Sequence, residues 1–323
     1  MAPLISVLLP TFEMGTTVGK AIESILAQTF ADFELLIIND GSTDDTPDIL
    51  ADYAARDSRI VVVHNPENIG LIRTLNKGLQ LARGSLIARQ DADNLSLRNR
   101  FAKQVDYLQQ HAHIGLVGAR VLTSSSHGAV DNGYPYPQIV LPPALIPWEL
   151  LFYTYFAHDA IMARRDLLLQ VGGYRLDRLH AEDYDLWFRL SKITQMAMLP
   201  DTLAYFFHNP DGVSQRYAER QKLTSLEIIR DAISDLLEQP ASLADARILY
   251  QISRLEVGEA DLGDLVQRGE RLLSQLHTAY VNKFSLTEAE RALLDANMTS
   301  KLSRAQVLFL STQLYLQENH HAQ

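Results

Sequence analysis

The feature of this sequence that most constrains its fold is a regular alternation of short apolar segments with segments of helical periodicity. The apolar segments occupy 4–10, 33–40, 59–65, 85–90 and 114–121, and the helical segments occupy 16–28, 43–56, 70–84 and 100–111. Strands that read as near-continuous apolar runs are buried on both faces, and strands joined through helices run parallel. The sequence therefore predicts an α/β fold, with a mostly parallel sheet and helices on both of its faces.

The pattern changes near residue 216, after which glycine and proline become sparse. Three segments there carry apolar residues at three- and four-residue spacing, as amphipathic helices do: LTSLEIIRDAISDLLEQ, ERLLSQLHTAYVNKF and LSRAQVLFLSTQLYLQ. We therefore predict an α/β domain over residues 1–215 and an α-helical module over residues 216–323.

The last predicted helix carries an apolar stripe formed by Leu302, Ala305, Leu308, Phe309, Thr312 and Leu316. Such a stripe must be covered, because an exposed apolar face promotes association. Packing on the module's own helices, a homodimer contact and a docking face for a membrane-bound acceptor would each cover it. Membrane docking is the least favoured of the three, because the helix lacks a polar face rich in lysine and arginine.

The composition excludes several classes of function. A formal net charge of -10 disfavours a nucleic-acid partner, and the lack of cysteine rules out disulfides and thiolate zinc sites. No apolar stretch reaches the roughly 18 residues of a membrane span, and the first residues lack the pattern of a signal peptide. We expect a cytoplasmic protein without a transmembrane segment, either free or peripheral to the inner face of the membrane.

Polar groups stand at the predicted ends of three strands: Pro10-Thr11, Asn39-Asp40 and Gln90-Asp91. Because ligands of parallel sheets bind beyond the carboxyl ends of the strands, we expect these groups to face one pocket. Asp91 and Asp93 stand one residue apart after a strand predicted to be buried, where acidic groups need a positively charged partner. The alternative is a pair of loop or helix-capping residues.

Three segments resemble, in the expected order, the opening, central and acceptor-side segments of family 2 glycosyltransferases. They are SVLLPTFEMGTTVGKAIESILAQTFADFELLIINDGSTDDT, NPENIGLIRTLNKGLQLARGSLIARQDADN and GGYRLDRLHAEDYDLWFRL, and they fall within residues 4–215. The resemblance implies the Rossmann-like GT-A fold and an inverting enzyme. Such an enzyme moves one sugar from a nucleotide sugar, of UDP or dTDP type, to a hydroxyl of a glycan or lipid-linked acceptor, as in surface polysaccharide synthesis.

The resemblance to the DxD motif of that family implies a metal site at Asp91 and Asp93. Asp93 would bind Mn²⁺ or Mg²⁺, and Asp91 would bind the ribose or the water shell of the metal. Hard cations prefer carboxylate oxygens and stabilise the charge that develops on a leaving diphosphate. Asn94 stands where the family more often has a further acid, and its amide retains an oxygen ligand.

The resemblance also assigns the nucleotide contacts. The Asp40 carboxylate would accept the N3–H of uracil or thymine, and Pro10 and Thr11 would contact the base. The alternative for Asp40 is an Asp-Gly turn with a self-bonding side chain. Arg73 would neutralise phosphate, with a structural salt bridge as the alternative.

An inverting enzyme needs a base on the acceptor side, and the resemblance points to Asp183, with Glu182 orienting it or the acceptor. Both acids fall in the first turn of a predicted helix, where the helix dipole would lower the pKa of Asp183. Acids that only complement the dipole are the alternative, and Asp185 is assigned to that class. His208, after the last predicted strand, would contact the diphosphate or the metal, with a surface histidine as the alternative.

Two other functions fit part of the pattern. A nucleotidyltransferase also combines a parallel sheet, two acids and a metal, but the stretch 11–15 lacks the glycine-rich basic loop expected after its first strand. A non-catalytic scaffold that binds sugar nucleotides is the other, and the intact acids at 40, 91, 93 and 183 argue against it.

Overall fold

A computed structural model describes residues 2–125, 140–208, 216–255 and 262–320 of the chain. The chain divides into two compact units. The first comprises Met1–Pro143 and Tyr155–Ala218, and the second comprises Ala144–Thr154 and Glu219–Gln323. The short segment 144–154 therefore belongs to the same unit as the C-terminal helices.

The first unit contains a mixed sheet and its connecting helices. Its strands are β1 Ile5–Thr11, β2 Phe33–Asn39, β3 Ile60–His64, β4 Leu86–Arg89, β5 Leu95–Ser96, β6 Ile114–Ser125, β7 Met162–Arg164 and β8 Gln195–His208. Helices α1 Val18–Leu26, α2 Thr46–Arg56, α3 Leu71–Leu81 and α4 Arg100–Gln110 connect the first strands. After α5 Ile146–Glu149 of the second unit, the first unit continues with α6 Arg165–Gln170 and α7 Glu182–Leu190.

The strand order is β3-β2-β1-β4-β7-β6-β8-β5. The pairs β1–β2, β2–β3, β1–β4 and β6–β8 are parallel, whereas β7 runs antiparallel to both of its neighbours and β5 runs antiparallel to β8. The predicted α/β fold is confirmed, with the parallel half of the sheet where the alternation of strands and helices placed it.

The apolar strands are buried because helices cover both faces of the sheet. On one face Ile5, Val7 and Leu9 of β1 share a core with α1, α2 and α4. On the other face α3 lies so close to the sheet that a Cβ at Gly78 would stand 2.8 Å from Ile38 Cδ1. Each fully buried aliphatic side chain contributes about 1.5–3 kcal/mol, so this two-sided core holds the strand ends in fixed positions.

The second unit is helical. Besides α5 it contains α8 Ala218–Leu237, α9 Leu243–Arg254, α10 Leu262–Lys283 and α11 Glu288–His320. Within the described chain, none of the helices is both long and apolar enough to cross a membrane. Five side chains of the predicted apolar stripe lie outside the described part: Ala305, Leu308, Phe309, Thr312 and Leu316. Packing or dimerisation through that stripe stays a prediction.

A buried ion pair joins α5 to α11 within the second unit. Lys301 Nζ lies 3.1 Å from Glu149 Oε2, and the two side chains are 9% and 2% exposed. Asn297 donates to the other oxygen of Glu149 and accepts a hydrogen bond of 2.9 Å from Trp148 Nε1. Lys301 Nζ also lies 3.9 Å from the centre of the Phe152 ring. The segment 144–154 is thus held to α11 by charge, hydrogen bonds and a cation–π contact.

We predict that Lys301→Met destabilises the full chain by about 3–5 kcal/mol, because it leaves the Glu149 carboxylate buried without its cation. Urea unfolding measures the effect. The double variant Glu149→Gln with Lys301→Met should recover most of the loss. Lys283→Met, at an exposed lysine that bonds a backbone carbonyl, is the control and should change stability by no more than about 0.5 kcal/mol. A loss in Lys301→Met no larger than in this control would contradict the prediction.

Candidate active site

The carboxyl ends of three neighbouring strands form one edge of the sheet. Thr11 at the end of β1 lies opposite Asn39 at the end of β2, and the N–H of Asp40 donates to Thr11 O at 2.8 Å. On the other side of β1, the N–H of Gln90 after β4 donates to Leu8 O at 3.0 Å. The strand order therefore brings the three predicted polar tips to adjacent positions along this edge.

Asp40 is 4% exposed and accepts three hydrogen bonds. Asn65 Nδ2 donates to Oδ1 at 2.7 Å, the N–H of Ile69 donates to Oδ1 at 3.0 Å, and the N–H of Gly70 donates to Oδ2 at 2.9 Å. The side chain therefore bonds the segment that leads into α3. A carboxylate offers about four lone-pair sites, so one acceptor site remains for a nucleobase N–H.

Two further residues predicted to contact the nucleotide, Thr11 and Arg73, have polar atoms that can form additional hydrogen bonds. Thr11 is buried, and its Oγ1 has no hydrogen-bond partner among the described residues. Arg73 is exposed on the first turn of α3, with Nη1 3.4 Å from Ile69 O. It makes no ion pair with any carboxylate in the described part of the chain, so the structural salt bridge considered as its alternative role is not seen there.

Arg89 provides the positive charge that Asp91 requires. Its side chain is 2% exposed, and Nη2 lies 2.6 Å from Asp91 Oδ1. Asp93 forms no ion pair with a cation of the described residues, and its burial and the negative charge of Asp91 raise its pKa to about 6. The Asp91–Asp93 pair therefore carries more negative charge than Arg89 balances.

The acids predicted on the acceptor side reach the same cluster. Glu182 and Asp183 lie in the first turn of α7, and the negative charge of Asp91 acts on both of them. Burial and the neighbouring Asp183 raise the pKa of Glu182 to about 7. The structure thus brings together two acid pairs that lie about 90 positions apart in the sequence.

The expectation that the helix dipole lowers the pKa of Asp183 is wrong. Asp183 accepts a hydrogen bond of 2.7 Å from the N–H of Tyr184, as a group at a helix start can. Burial nevertheless raises its pKa to about 6, with the charge of Asp91 acting in the same direction. Desolvation and like charges outweigh the favourable backbone groups at this position.

Asp159 also joins the cluster; it stands directly before the strand-like segment 160–165, a position that suggests it borders the acceptor pocket. It is 2% exposed, and its Oδ2 has no hydrogen-bond partner among the described residues. Burial and the charge of Asp91 raise its pKa to about 7, although Arg100 and Arg89 act in the opposite direction. The sequence thus indicated where Asp159 lies, but not its burial or its interaction with Asp91.

Arg100 is the second buried cation beside these acids, and no prediction named it. It is fully buried on the first turn of α4. Its guanidinium donates to five oxygens, those of Gln104 Oε1, Gln90 Oε1, Ser96 Oγ, Arg89 O and Ile161 O. An arginine at a helix start ordinarily faces water, and only its spacing from Gln104 and Phe101 on the same helix could have indicated burial.

Asn94 connects the Asp91–Asp93 loop to β8. It is 1% exposed, and its Oδ1 accepts a hydrogen bond of 2.9 Å from the N–H of Phe207. The oxygen considered as a metal ligand therefore bonds the backbone of the strand that ends at His208. The side chain of His208 lies outside the part of the chain that the structure describes, so its predicted contact with diphosphate or metal stays a prediction.

Asp185 differs from its assignment as an acid that only complements the helix dipole. It is 3% exposed, and its Oδ2 accepts a hydrogen bond of 2.7 Å from Nε of Arg189, one turn later on α7. The same guanidinium donates to Val171 O at 2.6 Å and to Gly173 O at 2.7 Å. Asp185 therefore orients an arginine that holds the turn preceding α7.

The described residues contain no group of three or more His, Asp or Glu side chains that could hold a metal ion. Asp91 and Asp93 offer two carboxylates from one loop at the strand edge. A magnesium ion is commonly bound by one or two protein carboxylates, with water and phosphate oxygens completing its coordination. The pair fits such a cation, since its excess negative charge is what a cation would balance.

Comparison with known proteins identifies the family and the fold of this chain. The sequence profile described as glycosyl transferase family 2 matches residues 6–171. One relative is the Escherichia coli protein UDP-Glc:alpha-D-GlcNAc-diphosphoundecaprenol beta-1,3-glucosyltransferase WfgD. It is 25% identical over 255 residues, which cover 79% of this chain and 93% of WfgD.

Two solved structures share the fold. TarS 1–349 of S. aureus, in complex with UDP-GlcNAc, is similar with a TM-score of 0.62 at 17% identity, over 97% of this chain and 92% of that one. The mannosyltransferase PcManGT of Pyrobaculum calidifontis, in complex with GDP-Man and Mn²⁺, has a TM-score of 0.55 at 17% identity, over 96% of this chain and 88% of that one. The similarity confirms the GT-A-like α/β fold.

Proposed function

This chain belongs to glycosyl transferase family 2, and we propose that it moves one sugar from a UDP- or dTDP-sugar to an acceptor hydroxyl with inversion at the anomeric carbon. The observation that carries this proposal is the convergence of two acid pairs, Asp91–Asp93 and Glu182–Asp183, around the buried Arg89. One pair suits a metal and diphosphate, and the other suits an acceptor hydroxyl. Family membership favours sugar transfer over nucleotidyl transfer or a scaffold role.

The donor would lie along the edge formed by β1, β2 and β4. We propose that the nucleobase of the donor contacts Pro10, Thr11 and the remaining acceptor site of Asp40. Arg73 would bind the diphosphate. The unpartnered Thr11 Oγ1 and the absence of a described carboxylate partner for Arg73 support these assignments. The UDP-sugars named for WfgD and TarS make UDP the first nucleotide to test.

We assign a divalent cation to Asp93, with Asp91 as a second ligand or a contact to its water shell. When bound, Mn²⁺ or Mg²⁺ stabilises the negative charge that the leaving diphosphate gains. Arg89 holds Asp91 in place, and the pKa of Asp93 is raised by burial and by the negative charge of Asp91, which a cation would offset. The Mn²⁺ bound by PcManGT supports the same type of ion here.

In the proposed reaction the acceptor oxygen attacks the anomeric carbon from the side opposite the diphosphate. The bond from that carbon to the phosphate oxygen breaks, and its electron pair leaves with the nucleoside diphosphate. Asp183 takes the proton of the attacking hydroxyl. Asp183 is only partly buried whereas Glu182 is 7% exposed, so Asp183 is the more accessible of the two acids and Glu182 orients it.

The acceptor is proposed to be a glycan or a lipid-linked glycan in surface polysaccharide synthesis, working from the cytoplasmic side. The lipid diphosphate acceptor in the name of WfgD supports this class. We propose that catalysis belongs to residues 1–215, and that the helical module of 216–323 serves packing or dimerisation outside the catalytic centre.

Asp93→Ala should abolish the dependence of UDP binding on Mn²⁺, because it removes the proposed direct ligand. Titration calorimetry with UDP, with and without Mn²⁺, measures this without any assay of turnover. In the unchanged protein Mn²⁺ binding should weaken as the pH falls through about 6, since the carboxylate must be deprotonated to bind the ion. Asp32→Ala, at an exposed aspartate, is the control. Unchanged Mn²⁺-dependent binding in Asp93→Ala would refute the metal assignment.

Asp183→Asn should lower transfer by at least about 10²-fold with little change in UDP affinity, because the amide keeps the shape of the side chain but cannot take the proton. The rate of donor hydrolysis, measured over a panel of UDP- and dTDP-sugars, gives a readout before the acceptor is known. In the unchanged protein that rate should rise as the pH is raised through about 6, where Asp183 loses its proton.

Glu182→Gln separates the roles of the two acids. Replacing an orienting residue should lower the rate less than replacing the base. Glu182→Gln should therefore retain more activity than Asp183→Asn. The reverse order would assign the base to Glu182.

A further inference from the structure

The side chain of Asn76 on α3 holds a turn that lies before α7, the helix that carries the proposed base Asp183. Asn76 Nδ2 donates to Tyr174 O at 2.8 Å, and the N–H of Tyr174 donates to Asn76 Oδ1 at 2.9 Å. One amide therefore satisfies both backbone groups of Tyr174. Two hydrogen bonds in parallel fix the orientation of the turn as well as its distance from α3.

The same turn is held from the other side by α7. Arg189 donates to the carbonyl oxygens of Val171 and Gly173, and Asp185 fixes the guanidinium. Residues 171–174, called here the linking turn, are thus bonded to α3 through Asn76 and to α7 through Arg189. This turn is a direct mechanical connection between the two helices.

Each of those helices carries one half of the proposed active site. The segment before α3 bonds Asp40 through the N–H groups of Ile69 and Gly70. The first turn of α7 carries Glu182 and Asp183. The spacing between the nucleotide side and the base therefore depends on how α3 and α7 are joined.

We propose that Asn76 is a positioning residue for the transfer reaction. By holding the linking turn against α3, it fixes Asp183 at the distance from the donor that an attacking hydroxyl requires. The proposal rests on the proposed function, with Asp183 as the base. A displacement of about 1 Å at a reacting centre can cost roughly 10²-fold in rate, so two hydrogen bonds remote from the chemistry suffice for a measurable effect.

Two adjacent glycines of the linking turn offer a matched pair of variants. Gly172 and Gly173 have φ values of +82° and +66°, so alanine at either position introduces backbone strain. A Cβ at Gly173 would stand 2.5 Å from Asn76 Oδ1, whereas a Cβ at Gly172 would have no atom within 4 Å. Gly173→Ala therefore strains the backbone and displaces Asn76, and Gly172→Ala strains the backbone alone.

The test measures donor hydrolysis with the UDP- or dTDP-sugar that the unchanged protein hydrolyses fastest, and UDP affinity in the presence of Mn²⁺. Asn76→Ala and Gly173→Ala should each lower kcat by roughly 10- to 100-fold and leave UDP affinity unchanged. Gly172→Ala should keep kcat close to that of the unchanged protein. In the Asn76→Ala background, Gly173→Ala should cost no more than Gly172→Ala, because the side chain it displaces is already absent.

Hydrogen exchange supplies a readout that does not depend on activity. In Asn76→Ala the peptides covering 171–190 should exchange faster, while those covering 33–40 should not change. Asn99→Ala, at an exposed asparagine outside this connection, is the control and should change neither. If Gly173→Ala does not fold, the comparison of Asn76→Ala with Asn99→Ala still tests the proposal.

Three outcomes would overturn the proposal. Equal losses in the two glycine variants would show that strain alone is responsible. A fall in UDP affinity in step with kcat and with the folded fraction would make Asn76 merely structural, and unchanged kcat in Asn76→Ala would give it no role in the reaction. Failure of the proposed function is distinguishable, because it would appear as normal hydrolysis in Asp183→Asn with the exchange result intact.

Discussion

Two buried guanidinium groups, those of Arg89 and Arg100, set the charge balance on which the candidate site depends. Both side chains are 2% exposed or less, and the N–H groups of Arg100 donate to uncharged oxygens. The charge of Arg89 is balanced by its direct ion pair with Asp91, whereas the charge of Arg100 must be balanced at longer range by carboxylates. Five acids provide negative charge around the two arginines: Asp91, Asp93, Asp159, Glu182 and Asp183. The acids exceed the cations, and burial together with this excess of negative charge raises the pKa values of Asp93, Asp159, Glu182 and Asp183.

In the proposed function, this charge balance allows the donor and acceptor chemistry to share one region. Arg89 pairs directly with Asp91, yet its positive charge also acts on the acids of α7. In such a site the crowded carboxylates can bind protons when no ligand is present. They can bind a cation instead when a diphosphate enters. The metal requirement proposed for the donor and the pH dependence proposed for the base have the same origin.

The sequence predicted the parts of this arrangement that follow from backbone periodicity and topology. Apolar runs separated by helices imply parallel strands, and parallel strands bring Thr11, Asp40 and Asp91 to one edge. The convergence of Asp183 with that edge came from family resemblance, since no periodicity relates them. The burial of Arg100 and Asp159 and the role of Asp185 could not be derived, because burial of a charge depends on partners from distant elements. The segment 160–165 is strand-like in the sequence, but the antiparallel direction of β7 could not be derived, because so short a segment does not fix the direction of its pairing.

The grouping of residues 144–154 with the C-terminal helices has a consequence for how such proteins can recombine. The polypeptide passes between the two units three times, at about residues 143, 154 and 218. A crossover at the last passage alone would exchange the helices but leave the old 144–154 segment behind. Glu149 would then meet foreign helices without Lys301, its native counter-ion. Natural shuffling and laboratory chimeras of this architecture should therefore inherit the two pieces together.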